Sequence, residues 1–367
     1  QMPLKALILV GGYGTRLRPL TFSKPKPLCE FVNKAIVVHQ IEALVDAGVK
    51  EIIFAVCFKP EALELELKKV ANKLGIKIHF TLEKDPMGTA GCIKLNESLL
   101  DINDNDPFFM LNADVIANYD FKKLLKFHKS HGKEGTIYVT PVDDPTRYGV
   151  VVADDNGKIS SFVEKPKDKR FGCLINAGLY IFNKNIIKRV PPKKTSIERE
   201  IFPKMAKDGM LYRLELQSYW MDVGKPVDFI RGQKLYLNAI AKEGDKRIMK
   251  PNFRNIKELV VIDSTAQISN KAVIGPNVVI GPGCIVGDNV RIKDSCIMSG
   301  CLLADGCYVD GSLIGWKSKI GKWSRLQDLC ILGEDVEVRS ELFLRGTTVC
   351  PHKTVKDSEY TQGKVIL

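Results

Sequence analysis

The chain has 367 residues, with 55 Lys and Arg against 43 Asp and Glu, a formal net charge of +12 and 45% apolar residues. This composition excludes a disordered chain, and no run approaches the ~20 apolar residues of a membrane helix. The basic residues are scattered, without a dense Lys/Arg block or an aromatic-basic module, so phosphate-bearing small molecules fit the positive balance better than nucleic acid or membrane. A solvated Lys-rich surface would account for much of the excess equally well.

Gln1 ahead of Met2 reads as a cloning remnant, and residues 5–10 are too short for a secretory h-region. The expected compartment is therefore the cytoplasm. None of the ten cysteines forms a Cys-x-x-Cys pair, so reduced, mostly buried thiols are expected. The five histidines show no metal spacing, and His39 lies in an apolar helical run as a core residue.

The length suits two domains. The first is expected over 1–240, as alternating strands and helices. Residues 5–10 read as a buried strand, 36–47 as an amphipathic helix stopped by Gly48, and 51–57 as a strand. A helix over 61–73, a strand over 77–82, a helix over 89–100 and a strand over 107–111 follow. Thr195-Ser-Ile-Glu198 reads as a capping box for a helix through Ala206. Strands joined by helical crossovers predict a doubly wound, mostly parallel α/β sheet, whose ligands gather at the strands' carboxyl ends.

Residues 241–259 are polar and aperiodic and read as a linker, including Pro251-Asn-Phe253. From 260 to 367 the period becomes six. Ile268, Ile274, Ile280, Val286, Ile292 and Met298 recur, accompanied by Ala266, Ala272, Val278, Cys284, Val290 and Cys296. The pattern slips near 300 and resumes with Ile314, Ile320, Leu326, Leu332, Val338 and Leu344. Such a repeat predicts a parallel β-helix of hexapeptide repeats, each coil turning one apolar residue inward per side. Its open ends and exposed ladders predict self-association.

Gly11-Gly-Tyr-Gly-Thr-Arg-Leu-Arg18 follows the first strand directly. Glycines let backbone N–H groups approach phosphate oxygens, and Arg16 and Arg18 add charged donors. A tight strand-to-helix turn would explain the glycines alone. There is no Gly-Lys-Ser/Thr, and Leu17 stands where a dinucleotide fingerprint needs its third glycine. Lys26, between Pro25 and Pro27, has its backbone fixed and its ammonium aimed.

The run Leu9-Val-Gly-Gly-Tyr-Gly-Thr-Arg-Leu-Arg-Pro-Leu-Thr21 with Lys24-Pro-Lys-Pro-Leu28 resembles the signature of sugar-1-phosphate nucleotidyltransferases. The resemblance extends through Pro86-Met-Gly-Thr-Ala-Gly91, Leu111-Asn-Ala-Asp-Val115, Tyr148-Gly-Val150, Phe162-Val-Glu-Lys-Pro166, Asn176-Ala-Gly178 and Trp220-Met-Asp-Val-Gly224. The β-helix, left-handed in this family, and the closing Pro351-His-Lys353 are similar to one branch, the eukaryotic catalytic mannose-1-phosphate guanylyltransferases. Ala35 departs from that branch's usual proline, and Lys24 occupies a variable position beside the expected phosphate site.

The resemblance implies transfer of GMP from GTP to mannose 1-phosphate. Leu9, Gly11, Gly12, Gly14, Thr15, Arg16 and Lys26 would bind the nucleotide, with Gly88, Thr89 and Ala90 against its base. Gly149, Glu164, Lys165 and Asn176 would form the sugar-phosphate site, with Lys165 holding the phosphate. Asp114 and Asp222 would bind Mg²⁺, a hard ion that takes one or two protein oxygens. Either Asp taken alone is equally explained as a strand-end cap or turn residue, whereas a solvated hairpin lysine, the alternative for Lys165, is disfavoured by Pro166 and the nearby phosphate motifs. Arg16, Lys26 and Lys165 would carry catalysis by neutralising phosphate charge.

Two rival readings stand beside this one. The first is an adenylyl-, uridylyl- or thymidylyltransferase acting on glucose 1-phosphate. The second is a non-catalytic regulatory relative, against which the full set Arg16, Lys26, Asp114, Lys165 and Asp222 counts. The expected partners are GTP, mannose 1-phosphate and further copies of the chain, with a regulatory paralogue subunit left open.

Overall fold

The computed structural model describes residues 3–57, 60–83, 85, 87–252 and 255–367. Gln1, Met2, Pro86 and Phe253, which entered the sequence reading, lie outside the described residues. Packing divides the chain into two compact units, Gln1–Gly12 with Val37–Trp220, and Tyr13–Ile36 with Met221–Leu367.

The first unit is built on β1 (Leu4–Val10), α1 (Ile36–Asp46), β2 (Val49–Val56), α2 (Pro60–Leu74), β3 (Lys77–Leu82), α3 (Gly88–Leu95) and β4 (Pro107–Asn112). Strands β3, β2, β1 and β4 lie side by side and parallel, so the strand order reverses at β1. The loops after β1 and β4 therefore emerge next to each other, at the switch point where α/β sheets bind ligands. Beyond β4 come β5 (Val115–Ala117), α4 (Phe121–His131), β6 (Gly135–Pro141), β7 (Gly149–Ala153), β8 (Ile159–Glu164), β9 (Leu174–Asn183), α5 (Phe202–Lys207) and β10 (Leu211–Glu215). Here β9 pairs antiparallel with β4, β6 and β7, while β7 and β8 form an antiparallel pair.

Two expected elements differ. The helix expected over 89–100 ends at Leu95, because the Asn96 side chain bonds back to the Cys92 carbonyl at 2.8 Å and competes with helix continuation. The expected Thr195/Glu198 capping box is shifted by one residue. Ser196 is the cap, accepting from Arg199 N–H at 3.2 Å, and its own N–H donates to Glu200 at 3.0 Å. The segment Ile197–Ile201 winds as a π turn before α5, so the cap still meets an N–H three residues on while the returning carboxylate, Glu200, stands four residues on.

In the second unit, three parallel sheets of seven, six and five short strands wind as a β-helix among the described residues, the arrangement of a left-handed hexapeptide-repeat fold. Its core columns are read from the register. Ile280, Ile297, Ile314, Leu332 and Val349 stack, as do Val286, Leu303, Ile320, Val338 and Val355. The third column runs Ile256, Ile274, Ile292, Val309, Leu326 and Leu344. The frame slips earlier than expected. Ile297 rather than Met298 continues the first column, and Ser295 rather than Cys296 pairs with Val278. The side between Ile292 and Ile297 is five residues long, one short of the repeat, so a side can shorten without disturbing the stack. Helix α6 (Pro226–Lys242) belongs to this unit, where buried Gln233 donates to the carbonyls of Asn277 and Ser295 at 3.2 Å.

Seven of the ten cysteines are buried and all are free thiols, as expected from the sequence. No helix among the described residues is long and apolar enough to cross a membrane.

Candidate active site

In the first unit, β1 ends in Leu9 and Val10 and runs into Gly11 and Gly12, whose φ of +86° suits glycine. Leu9 is paired with Asn112 at the end of β4, and Ala113 N–H donates to the Leu9 carbonyl at 3.1 Å. Asp114 follows at once. The Gln40 side-chain amide donates to the carbonyls of Asn112 and Val115, at 2.8 and 3.0 Å, and so fixes the backbone on both sides of Asp114. Gln40, fully buried, is a positioning residue that the sequence reading missed. Its signal was an uncharged amide among the apolar positions of the run 36–47, where His39, Glu42 and Asp46 are polar as well.

The sugar-phosphate candidates gather on β7, β8 and β9. Gly149 pairs with Glu164, and a Cβ at Gly149 would lie 2.4 Å from Phe162 Cζ and 2.9 Å from Glu164 Oε2. Only glycine lets the Glu164 carboxylate lie over that strand. Burial, reinforced by nearby Glu198, raises the Glu164 pKa, while Lys165 opposes the shift. Lys165 Nζ stands 3.7 Å from Glu164, and its N–H donates to the Tyr148 carbonyl at 2.9 Å. With φ +49°, Lys165 holds a left-handed conformation that a lysine adopts only when its surroundings impose it. Asn176 accepts from Gly178 N–H at 3.0 Å and donates to the Tyr180 hydroxyl at 2.8 Å, which leaves one amide hydrogen for a ligand.

The loop entering α3 is laced to residues 195–198. Gly88 has φ +73°, and a Cβ there would meet Thr195 O at 2.6 Å. Ala90 is fully buried and its N–H is taken up by Thr195 O at 3.0 Å, so it supplies packing rather than a donor. Thr89 Oγ1 donates to Glu198 Oε2 at 2.7 Å and accepts from Ile197 N–H at 2.9 Å. Glu198, read from sequence as half of a capping box, thus ties the Gly88–Ala90 loop to the neighbourhood of Glu164.

The second unit holds the remaining candidates. Gly14 caps the short turn Thr15–Leu17, and a Cβ there would lie 2.9 Å from Thr21 Cγ2 and 3.2 Å from Lys26 Cβ. The glycine is therefore also a seat for the Lys26 stem. Asp222 ends the short extended segment Trp220–Asp222, where its sequence context of flanking aromatics suggests a loop. Its Oδ1 is 4.0 Å from Lys26 Nζ. A Cβ built on Gly224 would lie 3.4 Å from Arg16 Nη2 and from both Asp222 oxygens, so Arg16, Lys26 and Asp222 form one charged group.

The nucleotidyl transferase family model matches residues 5–239. The chain belongs to the nucleotidyl transferase family. A second model, the GMPPB C-terminal domain, matches residues 256–366 of this nucleotidyltransferase. It is 50% identical over 355 residues to the mannose-1-phosphate guanylyltransferase catalytic subunit beta of Drosophila pseudoobscura pseudoobscura, covering 96% of this chain and 94% of the relative. To the catalytic subunit beta of Danio rerio it is 48% identical over 357 residues, covering 97% and 98%. Among solved structures it is similar to HddC from Yersinia pseudotuberculosis complexed with GMP-PN, at 30% identity and a TM-score of 0.53 over 64% of this chain and 99% of that one.

Proposed function

We propose that this nucleotidyltransferase transfers GMP from GTP to mannose 1-phosphate, forming GDP-mannose and releasing pyrophosphate. The observation that carries this reading is near-full-length similarity to mannose-1-phosphate guanylyltransferases, together with an intact set of charged candidates. A phosphomonoester is already largely ionised near neutral pH, so its oxygen attacks the α-phosphorus without a general base as the bond to pyrophosphate breaks. Lys165 holds the attacking phosphate, while the Glu164 carboxylate and the spare Asn176 amide hydrogen take sugar hydroxyls. Arg16 and Lys26 neutralise the charge that gathers on the α-phosphate and the departing pyrophosphate.

Mg²⁺ is the divalent ion we assign to Asp114 and Asp222. One or two carboxylates are what Mg²⁺ takes when phosphates and water complete its shell, and both residues are half-buried, Asp114 in the turn between β4 and β5 and Asp222 at the end of a short strand. Among the described residues no group of three or more His, Cys, Asp or Glu forms a protein-only cage. When bound, the ion supplies charge neutralisation to the triphosphate.

In this reading residues 1–240 handle the substrates and 260–367 support and assemble the enzyme as a homo-oligomer, while the connector expected over 241–259 gives its last residues, from Ile256, to the β-helix column. The buried free thiols suit the cytoplasm. Pyrophosphate release, measured with each of GTP, ATP, UTP and dTTP against mannose and glucose 1-phosphates, tests the proposal. Preference for any pair other than GTP with mannose 1-phosphate overturns it.

A further inference from the structure

The segment that carries Lys26 is strapped along one corner of the β-helix. Trp316, 2% exposed, donates its indole N–H to Glu30 Oε2 at 2.6 Å. The other Glu30 oxygen accepts from Lys24 Nζ at 2.7 Å, and that ammonium stands 4.3 Å from the centre of the Trp316 ring. The three groups close a triangle in which each touches the other two.

Contacts on either side extend the strap. Lys317 and, less strongly, Ser23 hold the Glu334 carboxyl, one coil from Trp316, below its usual range, and Asn33 Nδ2 donates to the Ile280 carbonyl at 2.9 Å, two coils away in the other direction. Glu30 and Phe31 pair with Ala35 and Lys34 across a two-residue turn, with Val32 and Asn33 both at positive φ. A buried β-branched residue holds that conformation only where its surroundings impose it. Phe31 packs edge-on against Phe229 and Tyr236 of α6, at 5.3 and 5.8 Å.

We propose that Trp316, Glu30 and Lys24 are positioning residues, through which the β-helix sets the place of Lys26 and hence the rate of the transfer step. The proposal rests on the catalytic reading of Lys26. It gives the β-helix a part in turnover that the repeat alone did not suggest.

The test uses the full-length chain with Trp316→Phe, which removes the indole donor, and Glu30→Gln, which removes the charge. A displacement of about 1 Å at a charged catalytic group costs up to about 100-fold, so kcat should fall about 10–100-fold in both variants. The KM for mannose 1-phosphate should stay within about twofold, because Lys165 is untouched. Lys24→Arg, which keeps the ion pair and the ring contact, should restore most of the turnover lost in Lys24→Ala. Combining Trp316→Phe with Lys26→Ala should be no worse than Lys26→Ala alone, a non-additivity that general destabilisation would not produce. If Lys26→Ala is crippled while folded Trp316→Phe and Glu30→Gln turn over normally, the strap has no positioning role. If Lys26→Ala itself turns over normally, the reading of Lys26 fails instead.

Discussion

Lys26 Nζ lies 4.0 Å from Asp222 Oδ1, with both side chains mostly shielded from solvent. The pair brings a cation meant for phosphate beside a carboxylate meant for a cation, so each can be tested by what it does to a bound triphosphate. Asp222→Asn changes one charge and almost no volume. The variant should fold normally and lose about 100-fold or more in kcat at every Mg²⁺ concentration. Circular dichroism with steady-state rates across a Mg²⁺ series checks this, and wild-type rates would remove Asp222 from the site.

Lys165 and Arg16 should divide the substrates between them. Lys165→Ala should raise the KM for mannose 1-phosphate and lower turnover, with kcat/KM down by about two to three decades, the equivalent of about 2–4 kcal/mol. Arg16→Ala should weaken GTP and leave the sugar-phosphate constant nearly unchanged. Calorimetric titration of each variant with each substrate decides the matter. Loss of the same substrate in both would show the division to be wrong.

The raised pKa of Glu164 carries a sign that can be read in two ways. As pH falls, Glu164 should protonate before an ordinary glutamate does, at about 4.3, and the KM for mannose 1-phosphate should climb correspondingly early. A carboxyl whose folded pKa is raised favours folding at low pH and loses that contribution as pH rises through the folded value. Glu164→Gln should therefore raise the melting temperature at pH 7–8 more than at pH 4, while flattening the acid limb of the KM profile. A melting temperature lowered equally at both pH values would contradict the burial account.

A second titration lies away from the site. His131 Nδ1 accepts from Lys133 N–H at 3.0 Å, so Nε2 carries the proton and donates to Thr136 Oγ1 at 2.8 Å. Thr136 in turn donates to His128 Nδ1, and His128 Nε2–H to Asn183 Oδ1, both at 2.9 Å. The chain is complete only with both rings neutral, and burial pulls the His131 pKa down to about 4. A histidine depressed in the folded state stabilises fully above its unfolded value near 6.5 and loses that stability as pH falls towards 4. With the ring half-buried, this contributes about 1–2 kcal/mol after screening. His131→Gln should flatten the fall in chemical stability between pH 6.5 and 4, and an unchanged slope would place the loss elsewhere.

What could be read from the sequence was what local spacing encodes. The Gly11–Gly14 loop, Glu164-Lys165-Pro166 and the six-residue period each express a rule acting over a few residues, and the three-column core followed. The π turn after Ser196 was not legible, because a capping spacing of four residues looks like noise beside the familiar three. The short side between Ile292 and Ile297 was read as a slip near 300, since Met298 is as apolar as its neighbour. Lys24 appeared to be a spare charge near phosphate, and only the fold reveals Glu30 and the Trp316 ring as its company.

The strap has a further consequence in time. Asn33 is separated from its acceptor at Ile280 by 247 positions, and Glu30 from Trp316 by 286. At about 5–20 residues per second, a growing chain exposes these residues for roughly ten seconds to a minute before their partners leave the ribosome. The segment bearing Arg16 and Lys26 is thus among the first to be synthesised and among the last to find its packing. A chain released before Trp316 should carry every residue of the glycine loop and still lack the support that holds it. If the strap positions Lys26 as proposed, a chain ended before Trp316 should turn over poorly by topology alone.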